Sequence, residues 1–334
     1  MSFVKLAPTD FVVSNDGVTA PAWTTGNPTL TSPTPSSLTA PVYVDMYASG
    51  TTTTQYSIAY GHISGSAALL YNGLVPSQSA TRTIYSQFRN LVYADENSSF
   101  NFGSGNTASV DIYAININRQ CYKESLFPGT FNLRLNNGGT IVNLTNDSND
   151  ATTVTYTDAG RVFNLVTGSN GSRATAADKS GATGSYGMFL PDVGLIILNP
   201  RALAAPSAQG GIGLVPTKAL AGDWGNTAEY NAGKLASVLA FSGSSFTLNS
   251  YETISSDYAF VRVPNNQFNY TTNPSIISGS GALLFSTMIN SPQTYMTTVG
   301  LYNDNQELLA VAKLSKPLVK DFTKEALIQV KLNW

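Results

Sequence analysis

Cysteine and histidine each occur once in this chain, and charged side chains make up only 11% of its 334 residues. Soluble domains usually carry about 25% charged residues, so hydroxyls and amides must supply the polarity of this surface. A single Cys121 excludes an intrachain disulfide framework. One cysteine and one histidine also exclude an ordinary structural zinc site, which needs a cluster of both. No apolar run approaches the ~20 residues that a membrane-spanning helix requires, so no membrane partner is expected. Net charge is −2 and the 18 Lys and Arg are scattered. Nucleic-acid binders draw much of their affinity from a basic stripe on phosphates, so nucleic acid is not expected as a partner. Met1-Ser2-Phe3-Val4-Lys5 lacks a charged region leading into an apolar core, so no secretory signal is expected. The sequons at Asn97, Asn143, Asn146, Asn170 and Asn269 are then read as products of an Asn/Ser/Thr-rich composition.

What the chain does have is 42% hydrophobic and 10% aromatic residues, enough apolar matter to exclude the charge-rich disordered class. Residues 1–41 contain a Pro/Thr/Ser-rich stretch, from Pro21 to Pro41, that cannot form a helix or a central strand. It reads as an extended arm or linker. Trp23 and Leu30 are its candidate anchors on a neighbouring subunit. If it is such an arm, truncating residues 1–41 leaves the β core folded and reduces assembly.

From residue 42 onward the alternation is that of strands. Val42 to Tyr47, Gln55 to Tyr60, Val110 to Ile117 and Phe131 to Leu135 alternate. Asn136-Asn137-Gly138-Gly139 is a hairpin turn signal. Thr83 to Tyr93 mixes periods and reads as a strand or a short helix. Leu195-Ile196-Ile197-Leu198 lacks polar alternation, the mark of a strand buried on both faces. The one clear helix is expected at about 227–240, capped by Asn226 or Thr227. Strands are expected again at 245–248, 258–263, 282–285 and 297–302. Val299–Tyr302 and Leu308–Leu314 flank a polar turn as a hairpin, and 326–332 forms a closing strand. The expected fold is mainly β: antiparallel sandwich- or barrel-like domains with an N-terminal arm and one short helix. The expected division is 1–41, 42–200, 201–245 and 246–334.

Candidate chemistry is sparse. His62 ends a strand and reads as a surface or satisfied core residue. Cys121 lacks an evident base beside it and reads as a small apolar side chain. Asn146-Asp147-Ser148-Asn149-Asp150 offers oxygen ligands but lacks the glycine and distal glutamate of a calcium loop, and reads as a turn. Gly211-x-Gly213 and Gly279-x-Gly281 lack the rest of a phosphate-binding motif. No catalytic, metal or cofactor residues are therefore assigned, and a non-enzymatic role is expected.

The C-terminal stretch differs from the body in being normally charged, with Lys313, Lys316, Lys320, Lys324 and Lys331 among Asp304, Glu307, Asp321 and Glu325. Its last residue, Trp334, is a further candidate interface residue, directly after an alternating strand. The segment Tyr295-Met296-Thr297-Thr298-Val299-Gly300-Leu301-Tyr302-Asn303-Asp304-Asn305-Gln306-Glu307-Leu308-Leu309-Ala310-Val311-Ala312-Lys313-Leu314-Ser315-Lys316-Pro317-Leu318 resembles one in virion structural proteins of tailed bacteriophages. Arg82 to Val92, Phe127 to Leu133, Asp158 to Val162, Ser185 to Gly194 and Phe322 to Leu327 are similar to stretches in structural proteins of contractile-tailed phages. The resemblance spans roughly residues 80–334. It implies a virion structural subunit, with tail baseplate or wedge as the expected place and other virion proteins and copies of itself as partners. Capsid, neck or head–tail connector roles are the alternative, and a receptor- or glycan-binding adhesin on the host surface is another.

Overall fold

The computed structural model describes residues 4–23, 30–31, 43–48, 53–65, 81–103, 108–152, 154–174, 184–216, 231–271 and 273–333. The protein is mainly β and its strands pair antiparallel. It divides into two compact units, one of residues 18–252 and one of residues 1–17 with 253–334. This replaces the four consecutive segments expected from the sequence. The first residues belong with the last ones, because β1 (Phe11–Pro21) lies beside the long β13 (Ser245–Val263). These two strands run through both units.

In the larger unit the strands are β2 (Leu30–Thr31), β3 (Tyr43–Ala48), β4 (Thr54–His62), β5 (Asp111–Ile117), β6 (Ser125–Asn137), β7 (Thr140–Asn146), β9 (Gly160–Ser169), β11 (Gly187–Leu190) and β12 (Leu195–Leu198). Short β8 (Thr155–Thr157) and β10 (Ser172–Arg173) flank β9. The hydrogen-bonded order is β13-β6-β7-β9-β11-β12-β5-β4-β3-β2. This path does not close into a barrel. The sheet instead curls over. Tyr56 on β4 and Phe246 on β13 are seven strands apart in that order, yet their ring centroids stand 5.5 Å apart. The fold is thus a sandwich made from one sheet.

Alternation explains how the sheet carries core on two faces. Tyr113, Ile115 and Ile117 of β5, Phe189 of β11, and Ile196 and Leu198 of β12 enter the main core. Ile112, Ala114, Met188, Leu190, Leu195 and Ile197 enter a second one on the opposite face. That is why β12 reads as an unbroken apolar run. The main core is closed by Leu203 of α2 (Pro200–Ala204) and by Leu235, Val238 and Leu239 of α3 (Asn231–Ala240). The second core is closed by α1 (Thr81–Tyr93) through Tyr85 and Val92, with Phe100 and Phe102 beside them.

Helix α1 corrects the expectation of a single helix. Ile84, Tyr85, Phe88 and Val92 recur at helical spacing and form one apolar stripe. The aromatic and β-branched residues among them are why the sequence leaves the segment open between a strand and a short helix, and the short helix is the one that forms. Of the helix expected at about 227–240, Asn231–Ala240 is described and is helical (α3), while the expected caps Asn226 and Thr227 lie outside the described residues. The expected β6–β7 hairpin is present, with Asn137 opposite Thr140. Gly138 and Gly139 take φ values of 58° and 99°, the positive pair that a two-residue hairpin turn needs.

The smaller unit holds the first part of β1, the second half of β13, a hairpin of β14 (Thr294–Tyr302) and β15 (Leu308–Lys320), and β16 (Ala326–Asn333). A four-residue α4 (Thr287–Asn290) precedes the hairpin. Residues 282–285, expected as a strand, contribute one isolated bridge from Leu283 to Ile277. The expected closing strand is present: β16 pairs with β13 from Ser256–Asn333 to Val263–Ala326.

Candidate assembly surfaces

The residues the sequence offered for chemistry are held in structural duties. His62 is buried at the end of β4, where its Nδ1 accepts a hydrogen bond from the Ser64 amide at 3.0 Å. Cys121 is half-buried, its Sγ 3.6 Å from the Gln55 carbonyl, and burial pushes its thiol pKa up. A raised thiol is a poor nucleophile at neutral pH. The Asn146–Asp150 stretch is a turn: Asp147 accepts from the Asn164 amide and side chain, and Asn146 donates to the Pro128 carbonyl. Among the described residues no group of three His, Cys, Asp or Glu gathers as metal ligands. A shallow hollow is lined by Arg82, Thr83, Ser86, Gln87 and Asn90, all from α1, so no groups converge there from facing elements.

The three candidate interface residues fare differently. Trp23 is only 3% exposed and lies in the main core. Its ring packs on Tyr56 and Phe246, and its Nε1 donates to the Phe246 carbonyl at 2.7 Å. It anchors the N-terminal segment to its own chain and is not open to a neighbour. Leu30 sits in β2, its backbone paired with Ala48. Trp334 lies outside the described residues.

Surface of another kind appears in the smaller unit. Its apolar cluster buries only Ala259, Ile328 and Val330, with residues such as Leu6, Met296, Val299, Leu301 and Leu314 half-buried around them. Among the described residues, more than half of the exposed large hydrophobic side chains lie in this unit, which holds less than a third of the chain. β1 shows the pattern at its strongest. Phe11, Val12 and Val13 are exposed in this unit, as is Val18 where the strand passes into the larger one, and ten of the strand's eleven positions are open to solvent. An apolar strand of that length invites pairing with another chain.

The β14–β15 hairpin carries the second concentration. Val299, Leu301, Ala310 and Ala312 occupy the inward face. The opposite face carries Gly300 against Val311 and Tyr302 against Leu308, all exposed. A Cβ added to Gly300 would stand 2.9 Å from the Tyr302 ring and 3.4 Å from Leu308, so these side chains close over the glycine as one patch. Leu309, at the register shift, is 68% exposed. The turn is tied by Asn303, whose Oδ1 accepts from the Glu307 amide and whose Nδ2 donates to the Glu307 carboxylate.

The stem of this hairpin is held with equal care. Lys320 is 0% exposed, and its ammonium donates to the carbonyls of Asn265 and Asp321 and to Oδ1 of Asn269, at 2.8–3.0 Å. Three protons meet three acceptors, which offsets the cost of burying the charge. Thr294, opposite Lys320 in the ladder, donates to the Phe268 carbonyl at 2.7 Å. Both strand ends are therefore clamped to the 265–269 turn, and the exposed patch sits on a fixed base. Periodicity finds the hairpin, but only the coordinates show that its outer face stays uncovered.

In comparisons with known proteins, no family model, no curated protein and no solved structure matches the chain.

Proposed function

We propose that this chain is a non-enzymatic structural subunit of a tailed-phage virion, most fittingly of the tail baseplate or its wedge. One observation carries the assembly part of this reading. The smaller unit leaves large apolar side chains on both β1 and the outer face of β14–β15, while its apolar cluster fully buries only Ala259, Ile328 and Val330 among the described residues. Monomeric proteins rarely expose apolar patches beyond a few hundred Å². A unit built this way completes its core in contact with other subunits. The uncharged polar surface of the body supports the same reading, since Ser, Thr and Asn cost less to desolvate than ions when permanent contacts form. The virion part rests on the resemblance of residues 80–334 to structural proteins of contractile-tailed phages.

The test is mass spectrometry of density-purified particles of the phage that encodes this chain, before and after separation of heads from tails. The expected result is many copies per particle, retained with the tail fraction. Retention with heads moves the assignment to a capsid, neck or connector role. Absence from purified particles overturns the virion reading.

A further inference from the structure

We infer that the outer face of the β14–β15 hairpin is a homotypic interface, on which a second copy of this chain docks its own hairpin about a two-fold axis. This deepens the assembly reading above and rests on it only in that the chain works in contact with other subunits. Tyr302, Leu308 and Val311 form the centre of the face, with Leu309 beside them and Tyr295 further toward the stem. Their exposures run from 38% to 68%. At about 150–200 Å² for a large apolar side chain, the five present roughly 450 Å² of apolar surface. A standard interface buries about 800 Å² per partner, a little over half of it apolar. The patch thus supplies the apolar share of one side of such an interface.

Charge identifies the second copy as the occupant. The exposed acids Asp304 and Glu307 lie at the hairpin tip, and the exposed Lys313 and Lys316 lie toward its stem. Lys313 is on the same face as Val311, opposite Thr298 in the ladder. A two-fold axis through the patch sets two hairpins antiparallel, face to face. The acidic tip of each copy then meets the lysines of the other. Residue i contacts j and j contacts i, the self-complementarity that an isologous contact requires. The fixed stem keeps the ordering cost of docking low.

The test is light scattering coupled to size exclusion on the full-length chain, with circular dichroism as the control for folding. The wild type is expected as a dimer or an even multiple at micromolar concentration. Leu308→Ser is expected to weaken association by about tenfold or more with the spectrum unchanged; a tenfold change corresponds to about 1.4 kcal/mol. Lys313→Glu alone weakens it, and Lys313→Glu with Glu307→Lys restores it. A monomeric wild type overturns the proposal, as does association indifferent to Leu308→Ser and Lys313→Glu. A trimer overturns the two-fold pairing. A chain that is monomeric alone yet present in particles defeats this inference and leaves the virion reading intact; a dimer absent from particles does the reverse.

Discussion

Arg161 and Asp192 show how a chain with so little charge uses the few ions it has. The Arg161 Nη2 stands 2.5 Å from Asp192 Oδ1, its Nε donates to the same carboxylate, and its amide donates to Oδ2 at 2.8 Å. Burial raises the Asp192 pKa, but the hydrogen bonds and charge of Arg161 outweigh it and hold the carboxyl below its ordinary value. A carboxylate lowered in the folded state stabilises the fold above its unfolded pKa, near pH 4. That contribution is lost as pH falls through the lower folded value. Both side chains are about a third exposed, so screening limits the pair itself to about 1 kcal/mol. Asp192→Asn should cost about 1–2 kcal/mol at pH 7, the backbone bond included. In denaturant titrations the gap from wild type should narrow below pH 4; a gap that is constant with pH would remove the ion pair from the account.

Lys320 belongs to the same scale. Lys320→Ala leaves three carbonyl oxygens without their donor and a cavity at the hairpin stem. The expected loss is about 2–4 kcal/mol, read as a lowered unfolding midpoint for the smaller unit. Nothing in the residues around position 320 announces this burial. Lysine is among the least often buried residues, and its three acceptors come from loop 265–269 and Asp321, which no periodicity places together.

Among the elements, strands with strict alternation or an unbroken apolar run were legible, because those patterns follow from faces that the strand itself presents. The β6–β7 and β14–β15 hairpins were legible for the same reason, with turn residues that fix the register. Helix α1 was legible only as one of two readings, since Thr83, Ile84, Tyr85 and Val92 carry strand propensity and left strand and short helix both open, and it is packing on β4 that decides their period. Gly61 of β4 permits that packing: a Cβ there would stand 2.8 Å from the Tyr85 amide nitrogen. Gly61→Ala should displace α1 and cost about 1–3 kcal/mol, measured by thermal unfolding. The N-terminal arm is the larger correction. Trp23 lies in the core and Ala22 donates to the Leu248 carbonyl at 3.0 Å, so removing residues 1–41 strips a core aromatic along with β1. Trp23→Ala alone should cost about 3–5 kcal/mol. A truncated chain as stable as the full one would restore the free-arm reading.

For the whole molecule, the sequence-level contrast between a charge-poor body and a normally charged C-terminal stretch acquires a physical meaning. The larger unit owns two cores that close on themselves. The smaller unit pairs its charges at the surface, as in Lys331 with Asp16 and Lys324 with Asp321, and leaves its apolar side chains uncovered. Composition could reveal the contrast but not the uncovered faces, because exposure depends on what the rest of the chain places against them. In this account the protein works by contact, and its smaller unit is finished only in an assembly. A reconstruction of the intact particle at side-chain resolution tests this most directly. The account predicts multiple copies of the chain, with β1 and the outer face of β14–β15 covered by protein and Tyr302 and Leu308 buried. Copies whose hairpin faces stand open to solvent in the finished particle would contradict it.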